Sequence, residues 1–210
     1  METTALDEGS FGTAVEHLAS VDDDLGAVIR EFGDPPFWNR EPGFGTLVWF
    51  ILEQQVSLAS AKATFDRLVA AIGPPEPGRL LDLDDDALLE IGFSRQKRAY
   101  ARGLAEAILS GDFSPESLET LDDAAVTTEM TRLKGIGPWT AHVYLLMVLR
   151  RPDVWPAGDI ALATAVKEVK GLDERPDPAS LEAIGESWRP WRSVAARILW
   201  HHYLAIRGRS

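Results

Sequence analysis

The sequence predicts an all-α protein. Apolar residues recur at spacings of three and four along most of the 210 residues, which is the period of one helix face. No stretch of the sequence shows the sustained alternation of apolar and polar residues that a half-buried strand needs. Residues typical of helix ends lie between the apolar segments. These three observations together predict helices joined by short turns.

The helical patterns can be followed in order along the chain. The first covers 11–32 and precedes the stretch GDPPFWNREPGFG, so residues 1 to about 43 can pack separately from the central helices. The remaining predicted helices are 44–55, 58–72, 84–91, 95–110, 122–133, 138–149, 159–170, 178–188 and 190–207.

Residues between these patterns suit helix starts and stops. They are the predicted N-caps Ser57 and Ser94, the stops at Gly73 and Gly171, and the first-turn prolines Pro138 and Pro190. Three acidic runs also precede helical patterns, where carboxylates cap free N–H groups and favour the positive end of the helix dipole. These runs begin at Asp22, Asp84 and Asp122, and we interpret them as structural.

Charge is unevenly distributed along the chain, whose net charge is −12. Residues 1–130 hold 9 Lys/Arg against 25 Asp/Glu, a net charge of −16, whereas residues 131–210 hold 12 against 8, a net charge of +4. A polyanionic partner is therefore compatible with the C-terminal part of the chain.

Composition excludes several kinds of chemistry. The absence of cysteine rules out disulfides, thiolate metal sites and cysteine-ligated iron–sulfur clusters. No apolar segment is long enough to span a bilayer, and the acidic start METTALDEGS lacks the features of a secretory signal, so we expect a cytoplasmic protein with no membrane partner. His201 and His202 are interpreted as core and helix-end residues, and no metal or cofactor is expected.

The segment LKGIGPWTAH, residues 133–142, predicts a tight turn between two helices. Gly135 and Gly137 permit close backbone approach, Ile136 between them is expected to turn into the core, and Pro138 begins the next helix. Such a turn directs free amides at an anion such as phosphate, and Lys134 adds a positive charge. For GIG alone, an ordinary turn with a C-cap glycine is the simpler interpretation.

The surrounding motifs favour the phosphate-binding interpretation. LKGIGPWTA, followed about twenty residues later by WPAGDIAL, resembles the helix-hairpin-helix-GPD superfamily of DNA glycosylases. Segments 47–68, 92–108 and 188–204 are similar to further elements of that family, and the resemblance covers roughly residues 40–205. The 3-methyladenine DNA glycosylase II branch is the most similar.

The resemblance implies a fold and a domain organisation. It implies one glycosylase domain over residues 1–210, with two helical lobes and the active site in the cleft between them. Residues 44–150, with the hairpin at 133–138, would form the central lobe, and the N- and C-terminal segments would form the other.

The resemblance also implies residue roles in the excision chemistry. Asp159 stands at the family's catalytic aspartate, where a carboxylate stabilises the sugar cation; a plain N-cap is its other interpretation. Trp139 and Trp191 match aromatic positions of the base pocket, and the remaining tryptophans are interpreted as core. Position 143, where a pocket tyrosine is expected, is Val143, with Tyr144 one residue along on a different helical face.

Residue roles in DNA binding follow from the same resemblance. Gln55 matches the wedge that fills the gap after base flipping. Glu53 replaces a common glycine and is either a solvated carboxylate at a helix end or a second acid. The predicted phosphate contacts are Lys134, Gly135, Gly137 and Arg192, and Arg197 and Lys62 are further candidates. The SRQKR cluster, which contains Arg95, Lys97 and Arg98, has two open interpretations: an edge that contacts DNA, or a solvated helix face.

The implied activity is that of a monofunctional base excision repair enzyme, because Trp139 stands where bifunctional relatives carry a Schiff-base lysine. We expect a monomer that flips alkylated purines out of damaged double-stranded DNA and hydrolyses their N-glycosidic bond. Two alternatives remain at this point: a glycosylase for an oxidised or deaminated base, and a helix-hairpin-helix module that binds DNA without chemistry.

Overall fold

The structure, a computed structural model, describes residues 5–208, so the first four residues of METTALDEGS lie outside it. The described residues form twelve α-helices and two short 3-10 helices and contain no strand, which confirms the all-α prediction. None of the described helices is long and apolar enough to cross a membrane. The chain divides into two compact units, named here by their place in the sequence. Within the described range, the central unit is 40–141, and the terminal unit is 5–39 with 142–208.

The terminal unit begins with two helices and ends with the longest stretch of buried sequence. Its helices are α1 (Glu8–Val21), α2 (Asp23–Phe32), α10 (Ile160–Val169), α11 (Pro178–Gly185) and α12 (Arg192–Ala205). Nine consecutive residues from Arg192 to Trp200 are buried, so α12 is enclosed around most of its circumference and lies at the centre of this unit's core.

The central unit consists of helices joined by turns. They are α3 (Phe44–Glu53), α4 (Leu58–Ile72), α5 (Pro77–Leu81), α6 (Asp85–Ile91), α7 (Arg95–Ser110) and α8 (Asp123–Thr131). The ninth helix, α9 (Pro138–Met147), begins in this unit and continues into the terminal one. The predicted N-caps Ser57 and Ser94 are confirmed, because their side chains accept from the amides of Ser60 and Lys97.

Three features differ from the sequence prediction. Pro190 is not a first-turn proline, because it lies in the turn before α12, whose N-cap is Trp191. The single helix predicted over 11–32 is two helices, because Asp22 is extended (φ −135°, ψ 104°) and caps α2 through its side chain. Helix α5 and the 3-10 helix Pro115–Thr120 were missed, since five or six residues with prolines show no measurable helical period.

Candidate functional site

The predicted hairpin between α8 and α9 in the central unit is formed as a tight turn. Ile136 is 4% exposed and its amide donates to the Leu133 carbonyl at 3.0 Å, which anchors the turn in the core as predicted. Gly135 has a φ of +94°, and a Cβ at this position would overlap the ring of Tyr100. Only glycine therefore fits at 135.

Gly137 and Lys134 lie on the solvent side of the same turn. Both residues are exposed, and a Cβ added at Gly137 would meet no protein atom within 4 Å. Space for a close ligand thus exists at 137, whereas 135 is constrained by the fold. The roles of both glycines in phosphate binding stay predictions.

The turn after α3 presents Gln55 to solvent. Gln55 is exposed and has a φ of +59°, a left-handed conformation that is uncommon for a residue with a side chain. The apolar side chains of Val56 and Leu58 beside it are 43% and 55% exposed. An exposed turn with apolar neighbours suits the predicted wedge, since side chains that insert between base steps are frequently apolar.

Glu53 is not the solvated carboxylate that one interpretation of the sequence favoured. Its side chain is only 13% exposed, and its Oε1 accepts from the Trp49 indole N–H and lies 3.9 Å from the Arg40 guanidinium. Arg40 itself stacks over the Trp49 ring, 4.4 Å from the ring centroid. Burial raises the pKa of Glu53, although the Trp49 hydrogen bond and the Arg40 charge act in the opposite direction.

In the terminal unit, Asp159 is a buried carboxylate at the start of α10. It is 9% exposed, and its Oδ1 accepts from the Leu162 amide at 2.6 Å and from the Trp200 indole N–H at 3.2 Å. Asp159 is therefore the N-cap of α10. Capping and catalysis are compatible, because an N-cap needs only an oxygen acceptor and its hydrogen bonds hold the carboxyl group in one orientation.

The loop that ends at Asp159 is held by α12 and α11. The Val154 amide donates to Ser193 Oγ at 2.9 Å, and the Ser193 amide donates to the Pro152 carbonyl at 3.0 Å. The Trp155 indole N–H donates to the Leu181 carbonyl at 3.0 Å. These bonds fix the backbone that carries the carboxylate.

Arg192 holds the beginning of that loop. Its Nε donates to Asp153 Oδ1 at 2.9 Å, its Nη2 donates to the Asp153 carbonyl at 2.8 Å, and its Nη1 lies 3.2 Å from carboxylates of Glu182 and Glu186. With a side chain only 9% exposed and three carboxylates around it, Arg192 is placed to support the loop, and this geometry argues against the predicted phosphate contact.

Other cations predicted near DNA are also engaged within the protein. Arg197 is fully buried and donates to the carbonyls of Trp38 and Leu146 at 2.9 and 2.8 Å, which removes it as a surface contact. Lys62 remains exposed and pairs with Asp66 at 2.7 Å. In the SRQKR cluster, Lys97 donates to the Leu52 carbonyl and Arg98 to the Asp85 carbonyl, whereas Arg95 is exposed.

The predicted pocket aromatics differ in accessibility. Trp139, in the central unit, and Trp191, in the terminal unit, are not fully buried, so part of each side chain is accessible. Tyr144 has no exposed surface at all, and this burial argues for a core role in the terminal unit and against the predicted place in the pocket. Val143 is also buried, at 3% exposure.

The hairpin, the loop and the capped aspartate all lie in a segment that matches a known protein family. The model of the HhH-GPD superfamily of base excision DNA repair proteins matches residues 48–190, which contain both the hairpin and Asp159. The chain belongs to the HhH-GPD superfamily.

Individual relatives and solved structures agree with this assignment. The DNA-3-methyladenine glycosylase 1 of Schizosaccharomyces pombe is 28% identical over 199 residues, 91% of this chain and 87% of that protein. The DNA-3-methyladenine glycosylase of Bacillus subtilis is 29% identical over 169 residues, 75% of this chain, and the match spans 56% of that protein's length. The S. pombe 3-methyladenine DNA glycosylase Mag1, solved with abasic DNA, superposes with a TM-score of 0.83 at 28% identity, over 90% of this chain and 95% of that one.

Trp200 is a residue of the candidate site in this HhH-GPD protein that the sequence motifs did not indicate. It was interpreted as core, and at 8% exposure it is buried, but its indole N–H donates to Asp159. A buried tryptophan must find an acceptor for that N–H, and this requirement was the signal that could have linked Trp200 to a nearby carboxylate.

We predict that Trp200→Phe lowers the single-turnover rate of base excision by roughly tenfold, because one hydrogen bond to a charged group is removed while most of the ring volume stays. Binding to abasic-site duplex should change little. Trp155→Phe is the matched control, since it removes the indole donor to the Leu181 carbonyl. Equal rate reductions in the two variants would show that Trp200 acts only through packing.

Proposed function

We propose that this HhH-GPD protein is a monofunctional DNA glycosylase that hydrolyses the N-glycosidic bond of cationic methylated purines in double-stranded DNA. The observation that carries the proposal is Asp159, a buried carboxylate fixed by the α10 amide and the Trp200 N–H. The S. pombe and B. subtilis relatives named as 3-methyladenine glycosylases support the choice of substrate.

The chemistry needs little beyond such a carboxylate. When the bond from C1′ to the base nitrogen breaks, its electron pair leaves with the base and C1′ becomes an oxocarbenium-like cation. The negative charge of Asp159 stabilises that cation, and water then adds to C1′ and releases a proton. Because a methylated purine such as 3-methyladenine is already cationic, it departs as a neutral base without prior protonation.

In this proposal the hairpin binds the DNA backbone. Backbone amides near Gly135 and Gly137 bind a phosphate at the N-terminus of α9, and Lys134 adds a charge-assisted contact. Such contacts read no base sequence, as a repair enzyme requires. Gln55 enters the gap that the flipped nucleotide leaves.

Trp139 of the central unit and Trp191 of the terminal unit, both partly accessible, are each proposed to contact the damaged base. The faces of Trp139 and Trp191 attract a positively charged purine, because the quadrupole of an indole ring is negative above its plane. Trp139 also stands where bifunctional relatives carry lysine. We therefore propose that the enzyme forms no Schiff base. We also propose that it acts on duplex DNA as a monomer.

A panel of duplexes with single defined lesions tests this function. Incubation with the protein, followed by hot alkali, should produce strand breaks at methylated purines. Strands without the alkali step should stay intact. Efficient excision of 8-oxoguanine without activity on methylated DNA, or a borohydride-trapped adduct, would contradict the proposal. Binding without any excision would favour the non-catalytic DNA-binding module.

A glycosylase for a neutral deaminated base is the second candidate, and the burial of Glu53 is the observation that favours it. A neutral base must be protonated as it leaves, and a carboxyl with a raised pKa can supply that proton. Activity on a neutral base should then fall as pH rises through the raised pKa, because the protonated fraction of Glu53 falls.

We predict that Glu53→Gln reduces excision of hypoxanthine by at least about tenfold and spares methylated purines, if Glu53 is that acid. The residual hypoxanthine excision by Glu53→Gln should also lack the fall with rising pH that the wild type shows. Glu90→Gln, at an exposed position of the same unit, is the matched control. Unchanged hypoxanthine excision in Glu53→Gln would leave Glu53 a structural partner of Trp49 and Arg40.

A further inference from the structure

A hydrogen bond joins the turn that presents Gln55 to the hairpin, 81 residues later in the chain. The Gln54 Nε2 donates to the Gly135 carbonyl at 2.8 Å and lies 3.4 Å from Thr140 Oγ1. A carbonyl oxygen only accepts, so the amide nitrogen of Gln54 must face it. All of these residues belong to the central unit.

The turn at one end of this bond needs outside support. Gln55 is held at a φ of +59°, which a residue with a side chain adopts only when its surroundings impose it. Within the turn, the Val56 amide lies 3.5 Å from the Glu53 carbonyl, a long hydrogen bond. A shorter bond, 2.6 Å from Lys97 Nζ to the Leu52 carbonyl, fixes the end of α3 before the turn, and Gln54 fixes the turn itself.

The acceptor at the other end has a fixed direction. Gly135 is at a φ of +94° with the Tyr100 ring packed against the place of a Cβ, and Ile136 anchors the next residue in the core. The Gly135 carbonyl therefore has a fixed orientation. Through its hydrogen bond to this carbonyl, Gln54 fixes the turn after α3 relative to the hairpin. Glutamate at 54 would present only acceptors when ionised and would repel that carbonyl.

We propose that Gln54 is a positioning residue that couples phosphate binding by the hairpin to the insertion of Gln55 into the gap in the DNA. This inference rests on the proposed function, because it assumes that the hairpin binds DNA and that Gln55 fills the gap. The bond keeps the two segments in register, so that a DNA backbone held by the hairpin meets the wedge at the base step beside it.

The test compares binding to two duplexes, one undamaged and one with a tetrahydrofuran abasic analogue, so that no excision is involved. Gln54→Met and Gln54→Glu keep the side-chain length and remove the N–H donor. At pH 8 both should reduce the preference for the abasic duplex by about fivefold, the effect of one hydrogen bond, with little change in affinity for undamaged DNA. Thermal unfolding of each variant reports whether the fold is kept.

A pH series separates positioning from a structural role. When Glu at position 54 is protonated, its O–H can again donate to the Gly135 carbonyl, so Gln54→Glu should regain preference for the abasic duplex as pH falls from 8 to 5. Gln54→Met has no such proton, so its preference for the abasic duplex should stay low at every pH. Absence of recovery in Gln54→Glu would overturn the proposal.

A double-mutant cycle with Gln55→Ala tests the coupling itself. If Gln54 acts through the wedge, Gln55→Ala and the double variant should show the same reduced preference, and the two effects should not add. Additive effects, or an unchanged preference in the Gln54 variants, would overturn the proposal. So would a wild-type chain without preference for the abasic duplex, whereas a chain that prefers abasic DNA but excises nothing would refute only the proposed function.

Discussion

Asp159→Asn is expected to lower the single-turnover rate of methylated-purine excision by about 100-fold or more, while binding to damaged duplex stays nearly unchanged. The reason is that the substitution removes the negative charge that stabilises the sugar cation in the proposed mechanism, while the capping hydrogen bonds can remain. Asparagine is as good an N-cap as aspartate, and its oxygen can still accept from the Leu162 amide and the Trp200 N–H.

Asp177→Asn is the matched control for this variant. Asp177 caps α11 in the same unit, and its side chain accepts from the Ser180 amide at 2.7 Å. The control should keep the wild-type rate. If Asp159→Asn keeps it as well, Asp159 is only a helix cap and the proposed chemistry is wrong.

Gly137→Val is expected to weaken binding to all duplexes by about tenfold, irrespective of lesion, because a branched side chain would block the proposed phosphate contact, which reads no sequence. The slope of log affinity against log salt should become shallower by about one unit for each phosphate that the variant no longer neutralises. The measurement is a titration of abasic and undamaged duplexes at several salt concentrations.

The structure makes this variant informative because the protein leaves open space where the side chain begins. A Cβ at 137 meets no protein atom within 4 Å, so we expect the variant to fold, which thermal unfolding checks. Gly103→Val in α7, with equally open surroundings, is the control and should bind DNA as the wild type does. A Gly137→Val protein with unchanged affinity and salt slope would remove the hairpin from the DNA-binding surface.

Most of the fold could be predicted from the sequence because helix ends are local features. Ser57 and Ser94 cap through bonds to amides three residues later, and such caps can be recognised in a short stretch of sequence. The acidic run at Asp22 is predicted to cap a helix, and its side chain does cap α2, but the apolar pattern continues on both sides and gives no sign that one helix ends there. Periodicity alone therefore joined α1 to α2.

The environment of individual site residues could not be predicted, because it depends on contacts between distant segments. The sequence predicts Arg192 as a phosphate contact, but its side chain is bound by Asp153, 39 residues earlier in the chain. Glu53 looked solvated at the end of a helix, yet Trp49 and Arg40 enclose it. Trp200 meets Asp159 across 41 residues of sequence. Motifs identified the candidate residues, but not the partners that orient them.

The release of free base from methylated duplex DNA tests the central claim most directly. DNA treated with a methylating agent is incubated with the wild type and with Asp159→Asn, and the free purines are quantified while strand integrity is followed. We predict release of 3-methyladenine by the wild type well above spontaneous loss, uncut strands, and almost no release by Asp159→Asn. Release no faster than spontaneous loss, or equal release by the two proteins, would contradict the claim that Asp159 makes this chain an alkyl-base glycosylase.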